Sequence, residues 1–168
     1  MAERVAWDTV TILKTWTETL ALLDWGLVMQ PTLSRGRTIR NLTVNAFHPF
    51  ELVPEAFHTG TFEWYPERDD ERERGLTDMP ALQQYADRIL QGWELFLFGY
   101  SDDLGDPSRM STGPQGELTF TALLEAQRWH AAWHHRQVVD HCRGQGLRDL
   151  PELPEPLMQD IRLPADIY

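Results

Sequence analysis

The chain has 168 residues, a formal net charge of −11 and a single lysine, Lys14. That length predicts one domain, residues 1–168, able to bury a core without staples. A surface this acidic repels phosphate backbones and anionic lipid, so neither nucleic acid nor a membrane is an expected partner.

Hydrophobic residues make up 42% of the chain, with seven Trp and seven Phe, a composition that excludes intrinsic disorder. The one cysteine, Cys142, permits no internal disulfide. The N-terminal stretch MAERVAWDTV lacks an apolar signal core and no apolar run approaches a membrane span. Together these predict a cytoplasmic protein.

The first predicted helix runs from about Ala6 to Met29, on Val10, Leu13, Leu20, Leu23 and Leu27 at helical spacing, and ends before Pro31. Its many threonines lower intrinsic propensity, so packing must hold it. Thr38 is the expected N-cap of a second helix from Ile39 to about Phe47. Pro49 and Pro54 then predict a kink and a shorter turn to about Phe57. Residues 58–78 read as a loop whose run ERDDERER is a solvated stretch.

Asp78, with Pro80 behind it, caps a third helix that reaches about Phe98 through Leu82, Tyr85, Ile89, Trp93 and Phe96. Residues 99–117 carry the Gly, Pro, Ser and Asp spacing of a loop. The fourth helix starts at Thr119 or Thr121 and runs to about Arg143, with Gly144 as its stop. The proline-rich residues 150–168 read as an extended tail packed on the domain, with at most one short turn. Four long amphipathic segments and few strand signals predict an all-α fold, a four-helix bundle.

The fourth helix holds four of the six histidines. On a helical wheel with His130 at zero, His134 lies near +40°, Gln137 near −20°, His141 near +20° and Gln127 near +60°, roughly one stripe. Leu123, Ala126 and Trp133 flank the stripe, whereas Arg128, Arg136 and Arg143 cluster opposite. The arginines should mark solvent and the histidines the interior; His135 falls on the outer side. Buried imidazoles need partners. Two of them at i and i+4 on an inward face form the geometry that chelates a divalent ion in their neutral state.

Ala131 follows the first histidine where a zinc protease would carry glutamate, so no general base of that kind is present. A third ligand must come from His48 or His58. His48, on a helix, is the better positioned.

These residues resemble the DinB-like superfamily, which includes thiol-dependent S-transferases and mycothiol-dependent maleylpyruvate isomerases. The stretch TIRNLTVNAFHPFELVP is similar to its second-helix motif with His48 at the ligand position. HAAWHHRQ is similar to its fourth-helix motif, with His130 and His134 as the pair and Gln137 three residues on. The tail DIRLPADIY resembles its Leu-Pro closing segment. Two departures stand out: His134-His135-Arg136-Gln137 replaces the common His-Arg-Gly-Gln, and Pro49 directly follows His48.

The resemblance implies a divalent metal, zinc or nickel, held by His48, His130 and His134. It further implies transfer of a low-molecular-weight thiol such as bacillithiol or mycothiol to a small-molecule electrophile. Hydrolysis by activated water is the alternative chemistry, and a non-enzymatic ligand-binding bundle a third. Glu51, one turn past His48, is a candidate acid or proton acceptor, and Gln137 a candidate for orienting a ligand or water. Cys142, off the stripe, reads as a small buried apolar residue. Trp129, Trp133 and Trp93 read as core. Bundles of this kind often pair through helix faces, so a homodimer is expected.

Overall fold

The threonine-rich first segment forms α1 (Ala2–Leu20) in the computed structural model, which describes residues 1–65, 69–114 and 116–164. Its threonines are accommodated by back-bonding: the Thr15 and Thr19 hydroxyls donate to the carbonyls of Thr11 and Thr15 at 2.9 and 2.8 Å. The helix stops at Leu20 rather than Met29. Asp24 offers the backbone a competing cap, its Oδ1 accepting from Leu27 N at 2.9 Å, and so opens a separate short helix, α2 (Trp25–Val28).

Thr38 caps α3 (Ile39–Thr59) through a capping box with Asn41. α3 runs unbroken through Pro49 and Pro54 to a left-handed Gly60, where the sequence predicts a kink. Each interior proline costs about 3 kcal/mol in an isolated helix. Here the buried face of Val44, Phe47, Phe50, Val53, Ala56 and Phe57 outweighs that cost. Pro49 also leaves the Asn45 carbonyl without its intrahelical donor.

From Asp69 on, the charge run is helical rather than solvated coil. Within it lies α4 (Asp69–Arg74), where Asp69 and Glu73 are buried; residues 66–68, including the start of the run, lie outside the described residues. Both acids have partners on α3: Asp69 meets Asn45 and His48, and Glu73 meets Asn41 and Arg40. Those contacts offset the desolvation that a sequence reading assigns to any charge run.

Asp78 caps α5 (Met79–Tyr100), with Pro80 in its first turn. The segment read as loop 99–117 and the two residues after it contain a hairpin, β1 (Met110–Gly113) with β2 (Gly116–Thr119), antiparallel with Ser111 opposite Leu118. β1 also bridges Thr61 in parallel, so the ladder groups that make this short pair viable come from the chain beyond α3. Gly113 sits where a Cβ would lie 2.5 Å from the Phe62 carbonyl oxygen, so only glycine fits. Thr119 then caps α6 (Phe120–Gly144). The tail contributes α7 (Glu155–Ile161), which buries Leu157 and Ile161; residues 165–168 lie outside the described residues.

The fold is therefore mainly helical, with one small hairpin among the described residues. α1 and α3 each pack against both α5 and α6. Between them lies a core led by Trp16, Trp93, Phe47, Phe50 and Phe120. Two buried indoles are satisfied across helices: Trp93 Nε1 donates to Thr9 Oγ1 at 2.6 Å and Trp16 Nε1 to Thr43 Oγ1 at 3.3 Å. Among the described residues no helix is long and apolar enough to cross a membrane.

Candidate metal centre and its cavity

Helical spacing on α6 sets the His130 and His134 rings against each other, centroids 4.5 Å apart and nearly perpendicular. Their Nε2 atoms are 3.1 Å apart. Two nitrogens bound to one divalent ion at about 2.0–2.1 Å would stand at roughly this separation.

The hydrogen bonds fix the tautomers. Ser34 Oγ donates to Gln137 Oε1 at 3.1 Å, marking that oxygen as an acceptor, and His134 Nδ1–H donates to it at 2.7 Å. His134 Nε2 is therefore a bare lone pair, the metal-ready form of a histidine held from behind by a carbonyl. Asn45 Nδ2 donates to Asp69 Oδ2 at 3.0 Å, which turns Asn45 Oδ1 towards His130 Nε2, 3.1 Å away. Two acceptors, His134 Nε2 and Asn45 Oδ1, thus converge on His130 Nε2. His130 Nδ1 is buried with no hydrogen-bond partner among the described residues.

Both rings are held neutral. Burial pushes His130 well below its usual value, with His134 and Arg37 acting in the same sense. Burial also pushes His134 down, to about 4; its hydrogen bond to Gln137 opposes the shift and the Arg37 guanidinium reinforces it. Neutral imidazole is the ligand form.

His48 lies one turn beyond Asn45. Its Nδ1 donates to Asp69 Oδ1 at 2.5 Å, and both side chains are buried. The α3 residue that touches the histidine pair is thus Asn45, while His48 joins it through Asp69 and Asn45. Among the described residues no group of three or more His, Cys, Asp or Glu is arranged to hold a metal. The donor set that does converge is two imidazole nitrogens and one amide oxygen. That set suits a divalent cation with open positions.

Glu51 lies away from this chain of contacts. Its carboxylate pairs with Arg72 and Arg88 at 3.1 and 2.8 Å. Burial raises its pKa, but the two guanidiniums outweigh burial and hold it below the usual value. His58 packs against Phe57 and Tyr100, remote from the pair. Cys142 is fully buried and its thiol is pushed up to about 11 by burial, which leaves it a poor nucleophile.

Comparison with family models, curated proteins and solved structures finds no match.

In front of the pair lies a cavity of about 360 Å³ walled by Trp64, Trp129 and Trp133, with Ser34, Arg35, Arg37, Asn45 and Gln137 around it. Trp129 and Trp133, read from sequence as core, stack at 5.4 Å and form part of its wall; Trp129 is 38% exposed. The wheel also misplaces two neighbours. Arg128, expected in solvent, is 8% exposed and bonded to Asp8 and Asp160 at 2.6 and 2.8 Å, which lets it face inward. His135, expected outside, is 2% exposed against Trp16. The Thr19 hydroxyl donates to Thr15 O, so it accepts from His135 Nε2 at 3.1 Å. A wheel shows one helix; α1 and α7 cover the side of α6 that it leaves open.

Sequence reasoning did not single out Asn45, Asp69, Ser34 or Arg37. Asn45 carried a usable signal, since it lies three residues before His48 and shares its helix face. Asp69 was hidden in the charge run.

Proposed function

We propose that this chain is a metal-dependent enzyme in which His130 and His134 hold a divalent cation, zinc or nickel, at the floor of the tryptophan-walled cavity. We further infer that the four long helices form a four-helix bundle of the DinB-like kind. The observation that carries the metal reading is the convergence of His134 Nε2 and Asn45 Oδ1 on His130 Nε2, each 3.1 Å away. This acceptor-rich point offers a cation a better balance than a single shared proton.

Two α3 residues compete for the third position. The family resemblance assigns it to His48; the geometry favours Asn45, already beside His130, with His48 and Asp69 fixing Asn45's orientation. A bound divalent cation would lower the pKa of a coordinated thiol or water. Gln137 holds His134 in the ligand tautomer, Ser34 holds Gln137, and the three indoles limit solvent around the reacting groups. Thiol S-transfer is the preferred chemistry. It fits a cavity in which three indoles can hold an apolar electrophile beside a thiol.

The test is metal analysis of the full chain, purified without chelator or histidine tag. About one divalent ion per chain is expected, lost in His130→Ala and in His134→Ala. Asn45→Ala should weaken binding more than His48→Ala; the reverse order would return the third position to His48. No bound metal at any supply level would overturn the reading. A fluorescent bimane-thiol transfer assay then separates transferase from hydrolase.

A further inference from the structure

We propose that the cavity takes a small organic monoanion, a carboxylate with an aromatic or otherwise planar apolar body, whose charge pairs with Arg37. The proposal takes from the metal reading only the choice of this cavity as the working site; pairing with Arg37 needs no cation on the histidines.

The chain carries 26 acidic residues against 15 basic ones, and three of its buried or partly buried arginines pair with them. Arg128 meets Asp8 and Asp160, Arg72 meets Glu51, and Arg40 meets Glu73. Arg109 instead covers the Phe57 ring and donates to the Phe57 carbonyl. Arg37, half-buried, makes one side-chain hydrogen bond among the described residues, from Nη1 to Asn45 Oδ1 at 3.4 Å, and meets no carboxylate there.

The cavity lining repeats the asymmetry: among the described residues it holds two arginines and no Asp or Glu, in a molecule of net charge −11. The imidazoles and amides facing Arg37 are neutral acceptors or donors and leave its charge uncompensated. A guanidinium in this position matches a carboxylate with two parallel hydrogen bonds.

The backbone holds this charge in place. Residues 32–37 form a tight turn closed by Thr32 N to Arg37 O at 2.8 Å and Arg37 N to Ser34 O at 3.0 Å. Within it Arg35 adopts φ 54°, a left-handed conformation that strains a non-glycine residue. Arg35, exposed, stands at the cavity mouth, where it would steer anions inward. The stacked Trp129 and Trp133 and the edge-on Trp64 supply flat apolar walls for the body of the ligand. About 360 Å³ is at the small end of ligand cavities. Arg37 matches one charge; a phosphate dianion would bring a second, with only exposed Arg35 to meet it.

The test titrates the full chain, in chelator, with benzoate, phenylacetate and 3-phenylpropionate, each against its neutral amide, and with phenyl phosphate. The readouts are calorimetry and tryptophan fluorescence. At least one acid should bind about tenfold or more tighter than its amide, and no more weakly than phenyl phosphate. Arg37→Gln should abolish the preference and Arg37→Lys restore part of it, with the urea midpoint of each variant confirming the fold. Equal binding of acid and amide, no binding of any acid at millimolar concentration, or an unchanged preference in Arg37→Gln would overturn the proposal. A parallel metal analysis keeps the two readings apart. One zinc per chain without acid preference overturns this inference alone, and acid preference without metal overturns the metal reading alone.

Discussion

Acidification should destabilise this protein well above the range in which carboxylates protonate, and His135 shows why. Its ring is 2% exposed against Trp16, donates from Nε2 to Thr19, and is pushed down by burial to about 4 from 6.5. The unfolded chain therefore takes up a proton near pH 6.5 and the native chain only near pH 4. Native stability is complete above the unfolded value and is lost as pH falls through this window.

At about pH 5 the unfolded ring is almost fully protonated and the native ring roughly a tenth so. This favours unfolding by a factor of about thirty, or about 2 kcal/mol. His134, also at about 4, adds a similar amount, and His130 acts in the same direction. The total of about 4 kcal/mol is a large part of the 5–15 kcal/mol typical of a domain. Urea denaturation followed by tryptophan fluorescence, in chelator, at steps from about pH 7.5 to about pH 5 measures it. His135→Leu should be less stable at neutral pH yet lose about 2 kcal/mol less over the same range. A stability curve flat down to about pH 5, falling only in the carboxylate range, would refute the assignment of buried neutral histidines.

Asp69→Asn removes the carboxylate that accepts from both His48 and Asn45. A loss of about 1–3 kcal/mol in urea is expected, together with weaker metal binding, because Asn45 is then free to turn away from His130. Gly113→Ala forces a Cβ to within 2.5 Å of the Phe62 carbonyl oxygen; it should cost about 1–3 kcal/mol and lower the melting temperature. Gly92→Ala, on the exposed side of α5 with nothing within 4 Å, should raise the melting temperature, by up to about 1 kcal/mol of stability. Equal effects of the two glycine variants would show that the hairpin does not pack on Phe62 as described.

The sequence by itself determined what depends on neighbours along the chain. Helical periodicity identified the long helices, the caps Thr38 and Asp78 marked the starts of two of them, and the spacing of His130 and His134 put their rings side by side. Gln137 was visible for the same reason, one turn from His134. Only the tertiary structure decided how segments meet. Whether Pro49 and Pro54 break a helix depends on the apolar face buried around them, and whether Asp69 is solvated depends on Asn45 and His48 across the gap between α3 and α4. Which α3 residue faces the histidine pair is set by the rotation of α3 against α6. Arg37 reads as one more surface charge until the turn at Arg35 and Gly36 places it on a cavity whose described lining holds no acid. Periodicity fixes directions around one axis; contacts between axes follow from packing, which couples residues as far apart as Ser34 and Gln137.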